Sequence, residues 1–166
     1  MSIDLGVGFD ALEQLAKPPL FPDGSYEFSI EKVEDSPVQQ TGRPQWRFQL
    51  KPINRPDLEA DPKYKGRSVF YYAQLPWIDP DTKVWDYSNT FSIVAIVNGT
   101  GMQVSAPNPD PTGTTFYGIP KEVFQGRTGV MKLGHRTRKG TEGDPEPTID
   151  QSVSIVTKRK GGGVVA

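Results

Sequence analysis

Ser88-Asn-Thr-Phe-Ser-Ile-Val-Ala-Ile-Val-Asn98 is the stretch that decides how this chain is read. It is a single apolar segment set between two groups of strand-like runs. Ser88 or Asn89 supplies a side chain suited to a helix N-cap, and Gly99 supplies a stop. Phe91, Val94, Ala95 and Asn98 fall on one helical side, and Ile93, Ile96 and Val97 widen the stripe. The run of β-branched residues also permits a strand. The caps and the length favour a helix over 88–98.

On the N-terminal side of this segment lie three strand-like runs, Gly24–Val33, Gln45–Ile53 and Arg67–Leu75. On its C-terminal side lie two, Thr128–Gly134 and Ser152–Lys158. In the first, Tyr26, Phe28 and Ile30 alternate with Glu27, Ser29 and Glu31; in the second, Trp46, Phe48 and Leu50 alternate with Gln45, Arg47, Gln49 and Lys51. A period of two puts one face in a core and the other in water. The order β-β-β-α-β-β is that of an all-β fold with one helix, a five-stranded OB-fold-like Greek-key barrel of the kind that commonly binds single-stranded nucleic acid.

Three segments follow from this frame: an N-terminal appendage over 1–20, an OB-like domain over 21–158, and a basic, glycine-rich flexible tail over 159–166. In the appendage, Asp10-Ala-Leu-Glu13 has a capping-box pattern. Phe9, Leu12 and Leu15 line one side of a short helix that Pro18-Pro19 stops, either packed on the barrel's end or touching another subunit. Residues 52–66 and 77–85 read as long loops, 100–120 as a Gly-, Pro- and Asn-rich segment, Lys121–Gln125 as one helical turn, and His135–Pro147 as a polar loop.

Composition sets limits. The chain has 166 residues, long enough for one domain with a real core, and is 35% hydrophobic and 23% charged. No apolar run approaches the ~18 residues of a membrane span. MSIDLGVGFD lacks the regions of a signal peptide, and the absence of Cys fits a reducing cytosol. Net charge is −1, so bulk electrostatics announce no polyanion. The charge is uneven, however: residues 1–62 carry 6 basic and 11 acidic side chains, and residues 63–141 carry 10 basic and 5 acidic. Local basic density is what phosphate contacts need.

The residues that carry chemistry are aromatic and basic. Arg47, Lys51, Phe70 and Tyr72 share outward parity on neighbouring strands. Rings stack bases for roughly 1–3 kcal/mol each and cations neutralise phosphates, neither requiring a particular base sequence. The competing reading has Phe70 and Tyr72 packed under the N-terminal helix or the long loop. Arg136, Arg138 and Lys139 form a basic loop between the last two strands, with Arg43 another loop cation; Glu142, Asp144 and Glu146 follow and weaken that field. Trp77 is a further candidate stacker, against the usual tendency of large aromatics to be partly buried. Catalytic signals are poor. His135 is the only His, and neither P-loop, nucleophile elbow nor HExxH occurs. No catalysis, metal or cofactor is expected. Asp57, Glu59 and Asp61 are the one carboxylate set a magnesium-dependent nuclease would use, and in a Pro-containing loop they read better as solvated.

The pieces Phe21-Pro-Asp-Gly-Ser-Tyr26 with Ser29-Ile30, Thr41-Gly-Arg-Pro-Gln-Trp46 leading to Leu50, Gly66-Arg67 before Val69-Phe-Tyr-Tyr72, a central helix, and Phe124-Gln-Gly-Arg127 before a strand resemble bacteriophage single-stranded DNA-binding proteins. In that family a Gly-Arg pair often opens the third strand and again the fourth. The resemblance covers most of 21–158 and implies an OB-fold that coats single strands in phage replication or recombination, in the cytoplasm of a bacterial host. It implies single-stranded DNA as partner, leaves other replication or recombination proteins and a homo-oligomer open, and implies no membrane. The acidic C-terminal tip through which many such proteins recruit partners is missing; the sequence ends Lys158-Arg-Lys-Gly-Gly-Gly-Val-Val-Ala166. A β-barrel module that touches only protein, for example in a virion, is the alternative the near-neutral charge favours.

Overall fold

The computed structural model of the chain describes residues 19–138, 148–158 and 164–165. Five long strands carry the architecture: β1 (Gly24–Asp35), β2 (Gln45–Ile53), β3 (Val69–Gln74), β8 (Thr128–Arg138) and β9 (Thr148–Lys158). They form one antiparallel sheet in the order β9-β8-β1-β2-β3, with a short β10 (Val164–Val165) added beyond β9. The protein is thus mostly β with one main helix. The two ends of the order, β3 and β9, approach each other without forming a ladder, so the sheet curls but does not close into a barrel.

Alternation explains the strands. Along β2 every second residue is buried, with Trp46, Phe48 and Leu50 inward. Along β3, Val69, Tyr71 and Ala73 are buried while Phe70 and Tyr72 are exposed. β1 serves two neighbours. It pairs with β8 over Gly24–Ser29 and with β2 from Glu27 to Asp35, with a register shift in the β2 ladder between Ile30 and Lys32. At that bulge Ile30 N–H donates to the Arg127 carbonyl and Gly126 N–H donates to the Ile30 carbonyl. The core is rich in aromatics: Phe48 meets Phe124 edge-to-face at 5.2 Å between ring centroids, and Trp46 and Tyr71 pack edge-on around them.

The two Gly-Arg pairs have a backbone reason. Gly66 and Gly126 adopt φ values of 71° and 85°, the left-handed region that costs a residue with a Cβ. Each turns the chain just before β3 or β8 begins.

The central helix, α2, spans Phe91–Gly99. It starts later than the expected 88–98 because Asn89 is left-handed (φ 58°) and Thr90 occupies the N-cap without a side-chain cap bond. Its end also differs: Gly99 is the last helical residue, and the Thr100 hydroxyl donates to the Ile96 carbonyl at 2.7 Å. The buried side is Ile93, Ile96 and Val97, whereas Phe91, Val94 and Asn98 are exposed. The sequence stripe was centred on the wrong side because the segment is apolar almost all round. Close packing selects the side. A Cβ on Gly99 would stand 2.6 Å from Ile155 Cγ2 and 3.0 Å from the Val156 carbonyl oxygen, so the helix end lies directly on β9.

Several segments read as loops carry structure. Residues 52–66 contain a short helix, α1 (Pro56–Ala60), begun by a proline and anchored by buried Leu58. The Trp77–Trp85 excursion is a small hairpin of β4 (Trp77–Ile78) and β5 (Trp85–Asp86). Residues 100–120 hold a second one, β6 (Thr115–Phe116) with β7 (Ile119–Pro120). The turn at Lys121–Phe124 is a 3-10 helix, in agreement with the expected single turn. β8 and β9 extend well past the expected Gly134 and Ser152, so what read as a loop from His135 begins as strand. The proposed helix around Phe9, Leu12 and Leu15 lies outside the described residues, as do Glu142, Asp144 and Glu146.

Candidate functional site

The outward face of β2 and β3 is built by register. Arg47 lies opposite Tyr72 and Gln49 opposite Phe70. Lys51 continues the row one step beyond the first residue of β3, opposite Ser29 of β1. Phe70 and Tyr72 are 45% and 50% exposed. No described element covers them, the 52–66 loop included; the N-terminal helix of the competing reading lies outside the described residues. Exposing two rings beside a cation forgoes burial that each would otherwise gain, roughly 1.5–3 kcal/mol for a residue of this size.

Arg47 is shared among three partners. Its guanidinium sits 4.9 Å from the Phe70 ring centroid, a cation–π contact. It also donates to the Glu34 carboxylate of β1, with Tyr72 beside it. Lys32 completes the set, with Nζ 2.9 Å from Glu34. Bonds from Lys32 and then Arg47 hold the Glu34 carboxyl below its ordinary range, and Glu34 in turn raises Arg47. Arg47 is therefore ion-paired in the free protein, while the Lys32–Glu34–Arg47 set as a whole keeps one net positive charge. Gln49 is held by Glu31 and Ser68 at 2.9 and 3.3 Å. Among the described residues Lys51 and Arg67 enter no ion pair.

The exposed side of β3 runs into a groove of ≈ 880 Å³ where β3 faces β9. Phe70 and Tyr72 form one wall, Phe91 and Ser92 at the start of α2 one end, and Gln151 to Ser154 of β9 the other wall. Arg67 and Arg136 both line it. Tyr71 turns the other way, its hydroxyl donating to the Ser92 carbonyl at 2.8 Å, which fixes the helix start against β3. Burial pushes that phenol up to about 12.

Of the residues expected at the site, the structure brings Arg47, Lys51, Phe70, Tyr72 and Arg136 to this face and groove. Arg136 reaches it from a strand position, in register with Asp150, rather than from a loop. Arg138 is the last residue of β8 and Lys139 lies outside the described residues.

Arg43 requires a correction. It is 5% exposed, so it cannot meet phosphates from the surface. Its Nε donates to the Leu75 carbonyl at 3.0 Å, and its remaining N–H groups donate to the Ser88 carbonyl, the Ser88 hydroxyl and Asp86. That fork ties both ends of the β4–β5 hairpin to the end of β3. Trp77, in β4 opposite Asp86, is half-buried rather than a free surface ring. Asp57 and Glu59 lie in the first turn of α1, and Arg55 binds Asp57 with two bonds of 3.0 and 2.9 Å. No group of His, Cys, Asp and Glu suited to a metal ion occurs among the described residues.

Two groove residues escaped the sequence reading. Phe91 was placed on the helix's apolar side and is 76% exposed. Arg67 was read only as a strand opener. The helix is apolar almost all round, so its sequence carried no signal that Phe91 faces out. Comparison with known proteins leaves the site to be argued on its geometry: no protein-family model and no curated protein matches this chain.

Proposed function

We propose that the protein binds single-stranded DNA on the outward face of β2 and β3, without strong base preference and without catalysing a reaction. The observation that carries this reading is the pairing of half-exposed Phe70 and Tyr72 with Gln49 and Arg47 across one ladder. Rings at that spacing offer π-faces to successive bases, while Arg47, Lys51, Arg67 and Arg136 offer charge to the backbone. Arg138 and Lys139 add two more cations shortly after Arg136 in the sequence. The fold reading rests on the strand order: β9-β8-β1-β2-β3 with β3 near β9 is the order of a partly open OB-type barrel, whose strands two and three commonly bind oligonucleotides. Coating of single strands in phage replication or recombination, inside a bacterial host and alongside other proteins of that process, rests on the sequence resemblance alone.

The test is a titration against fluorescent oligo-dT of about 30 nucleotides at low and high salt. Binding that weakens with salt is expected. Phe70→Ala and Tyr72→Ala should each weaken it about tenfold or more. Absence of binding at micromolar protein and low salt overturns the reading.

One observation favours the other reading, a module that contacts protein only. The neighbouring strand β1 presents Glu27, Glu31 and Glu34 along the same sheet, and Glu34 already occupies Arg47. Failure to bind oligo-dT would move the assignment there.

A further inference from the structure

The exposed aromatic rings of the described residues are Phe70, Tyr72, Tyr87 and Phe91, all within one stretch of 22 residues. Elsewhere the exposed apolar side chains are aliphatic. Two of the four rings belong to the β3 platform. Of the other two, Phe91 lines the same groove, and Tyr87 stands in the turn that leads into α2. Phe91 shares the groove with Tyr72 and is the most exposed of the large apolar side chains, at 76%. Tyr87 is 51% exposed and stacks on Trp85 at 5.9 Å with a 17° interplanar angle, which leaves its other face outward. Phe91 is four positions after Tyr87, so at most ~14 Å of chain lies between their backbones.

These rings are held, not loose. The Thr90 hydroxyl donates to the Tyr87 carbonyl at 2.8 Å. The Asp86 carboxylate accepts from the Ser88 N–H and hydroxyl at 2.8 and 2.6 Å. Arg43 clamps the same turn from within through Asp86 and Ser88. A buried arginine given over to positioning a surface turn makes the turn a rigid mount for its rings. The ligand that uses flat, rigid, exposed rings in series is one with flat faces in series, a strand of bases. An aliphatic protein surface would be served as well by Leu or Ile.

We propose that Phe91 and the Tyr87–Trp85 pair form a second stacking station for single-stranded DNA, reached by a strand that leaves Phe70 and Tyr72 through the groove. This rests on the reading given under Proposed function and extends it. The two stations are joined by the groove wall, so one continuous strand occupies both only when it is long enough to span them.

The experiment is an anisotropy titration of oligo-dT of about 4, 8, 15 and 30 nucleotides against wild type, Tyr87→Ala/Phe91→Ala and Phe70→Ala/Tyr72→Ala, with thermal melting of each as a fold control. The proposal expects Tyr87→Ala/Phe91→Ala to lose clearly less on the shortest oligomer than on the longer ones. It expects that variant to lose about tenfold or more on the longer ones, while Phe70→Ala/Tyr72→Ala loses at every length. Tyr87→Trp/Phe91→Trp should restore long-oligomer affinity, which a merely structural role would not predict. Wild-type affinity of Tyr87→Ala/Phe91→Ala at all lengths overturns the second station and leaves the platform standing. An equal loss at all lengths overturns it too, since the rings would then belong to one site. No binding by the wild type at any length removes the underlying reading, and the second station with it.

Discussion

The two faces of the β2–β3 ladder share one backbone and one set of hydrogen bonds, yet they carry different duties. Inward lie Trp46, Phe48, Leu50, Val69, Tyr71 and Ala73, all buried. Outward, at the same spacing, lie Arg47, Gln49, Lys51, Phe70 and Tyr72. Both faces are aromatic, so hydrophobicity alone does not separate them. What separates them is neighbours: inward rings meet other rings edge-on, and an outward ring meets a guanidinium and water. An aromatic residue in a strand thus speaks for the core or for a site only once its parity and its partners are known.

The sharpest break of this comparison is a pair of truncations. Phe48→Ala should destabilise by about 3–5 kcal/mol, because it empties a fully packed position. Phe70→Ala should cost no more than about 1 kcal/mol, the value of its contact with Arg47. Urea unfolding of both variants decides. Equal losses would mean that Phe70 is core, and the platform would fall.

Arg43 and Arg47 extend the comparison to charge: four positions apart, one is spent inside and the other faces out. Arg43→Met should cost about 2–4 kcal/mol, since the Leu75 and Ser88 carbonyls lose their donor. Arg47→Met should barely move the unfolding midpoint and should show its effect in oligo-dT affinity. If Arg43→Met melts like the wild type, the hairpin has another anchor.

Tyr71 and Tyr72 differ in the same way, and pH reads the inward one. The Tyr71 phenol is raised from 10.0 to about 12, so folding favours its neutral form. The stabilisation is whole below pH 10, where the unfolded phenol is also neutral. It drains away as pH rises from 10 through about 12. The total is about 2–3 kcal/mol. Alkaline unfolding curves should show it, and Tyr71→Phe should remove that part of the slope, with Tyr26, whose phenol burial also raises, keeping a remainder.

The smallest expected effect concerns the balance of charge outside. Glu34→Gln frees Arg47 from its ion pair and should raise oligo-dT affinity about two- to fivefold at low salt, with the gain fading at high salt. An unchanged affinity would show that Arg47 acts on Phe70 rather than on phosphate.

The long strands were legible because alternation survives in them. Tyr26-Glu-Phe-Ser-Ile30 and Trp46-Arg-Phe-Gln-Leu50 fix both strand type and face without reference to anything distant. The small hairpin at Trp77–Asp86 and the short α1 were not legible, since two to five residues are too few to show a period and their stability comes from Arg43, Leu58 and other partners remote in sequence. The outward parity of Arg47 and Phe70 was legible for the same reason as the strands, because alternation reveals it locally. Phe91 was not, because α2 is apolar nearly all round and nothing in its own sequence tells which side meets β9.

Spacing along the chain and local steric preference are enough to say which long stretches extend, which coils, and which side of β1, β2 and β3 faces water. Three outcomes came with the packed fold alone: the sheet curls without closing, Arg43 turns inward while Arg47 turns out, and Phe91 lines the same groove as Tyr72. Each of those depends on contacts between residues far apart in the chain, where packing and the need to satisfy buried polar groups outweigh anything that neighbours in sequence specify.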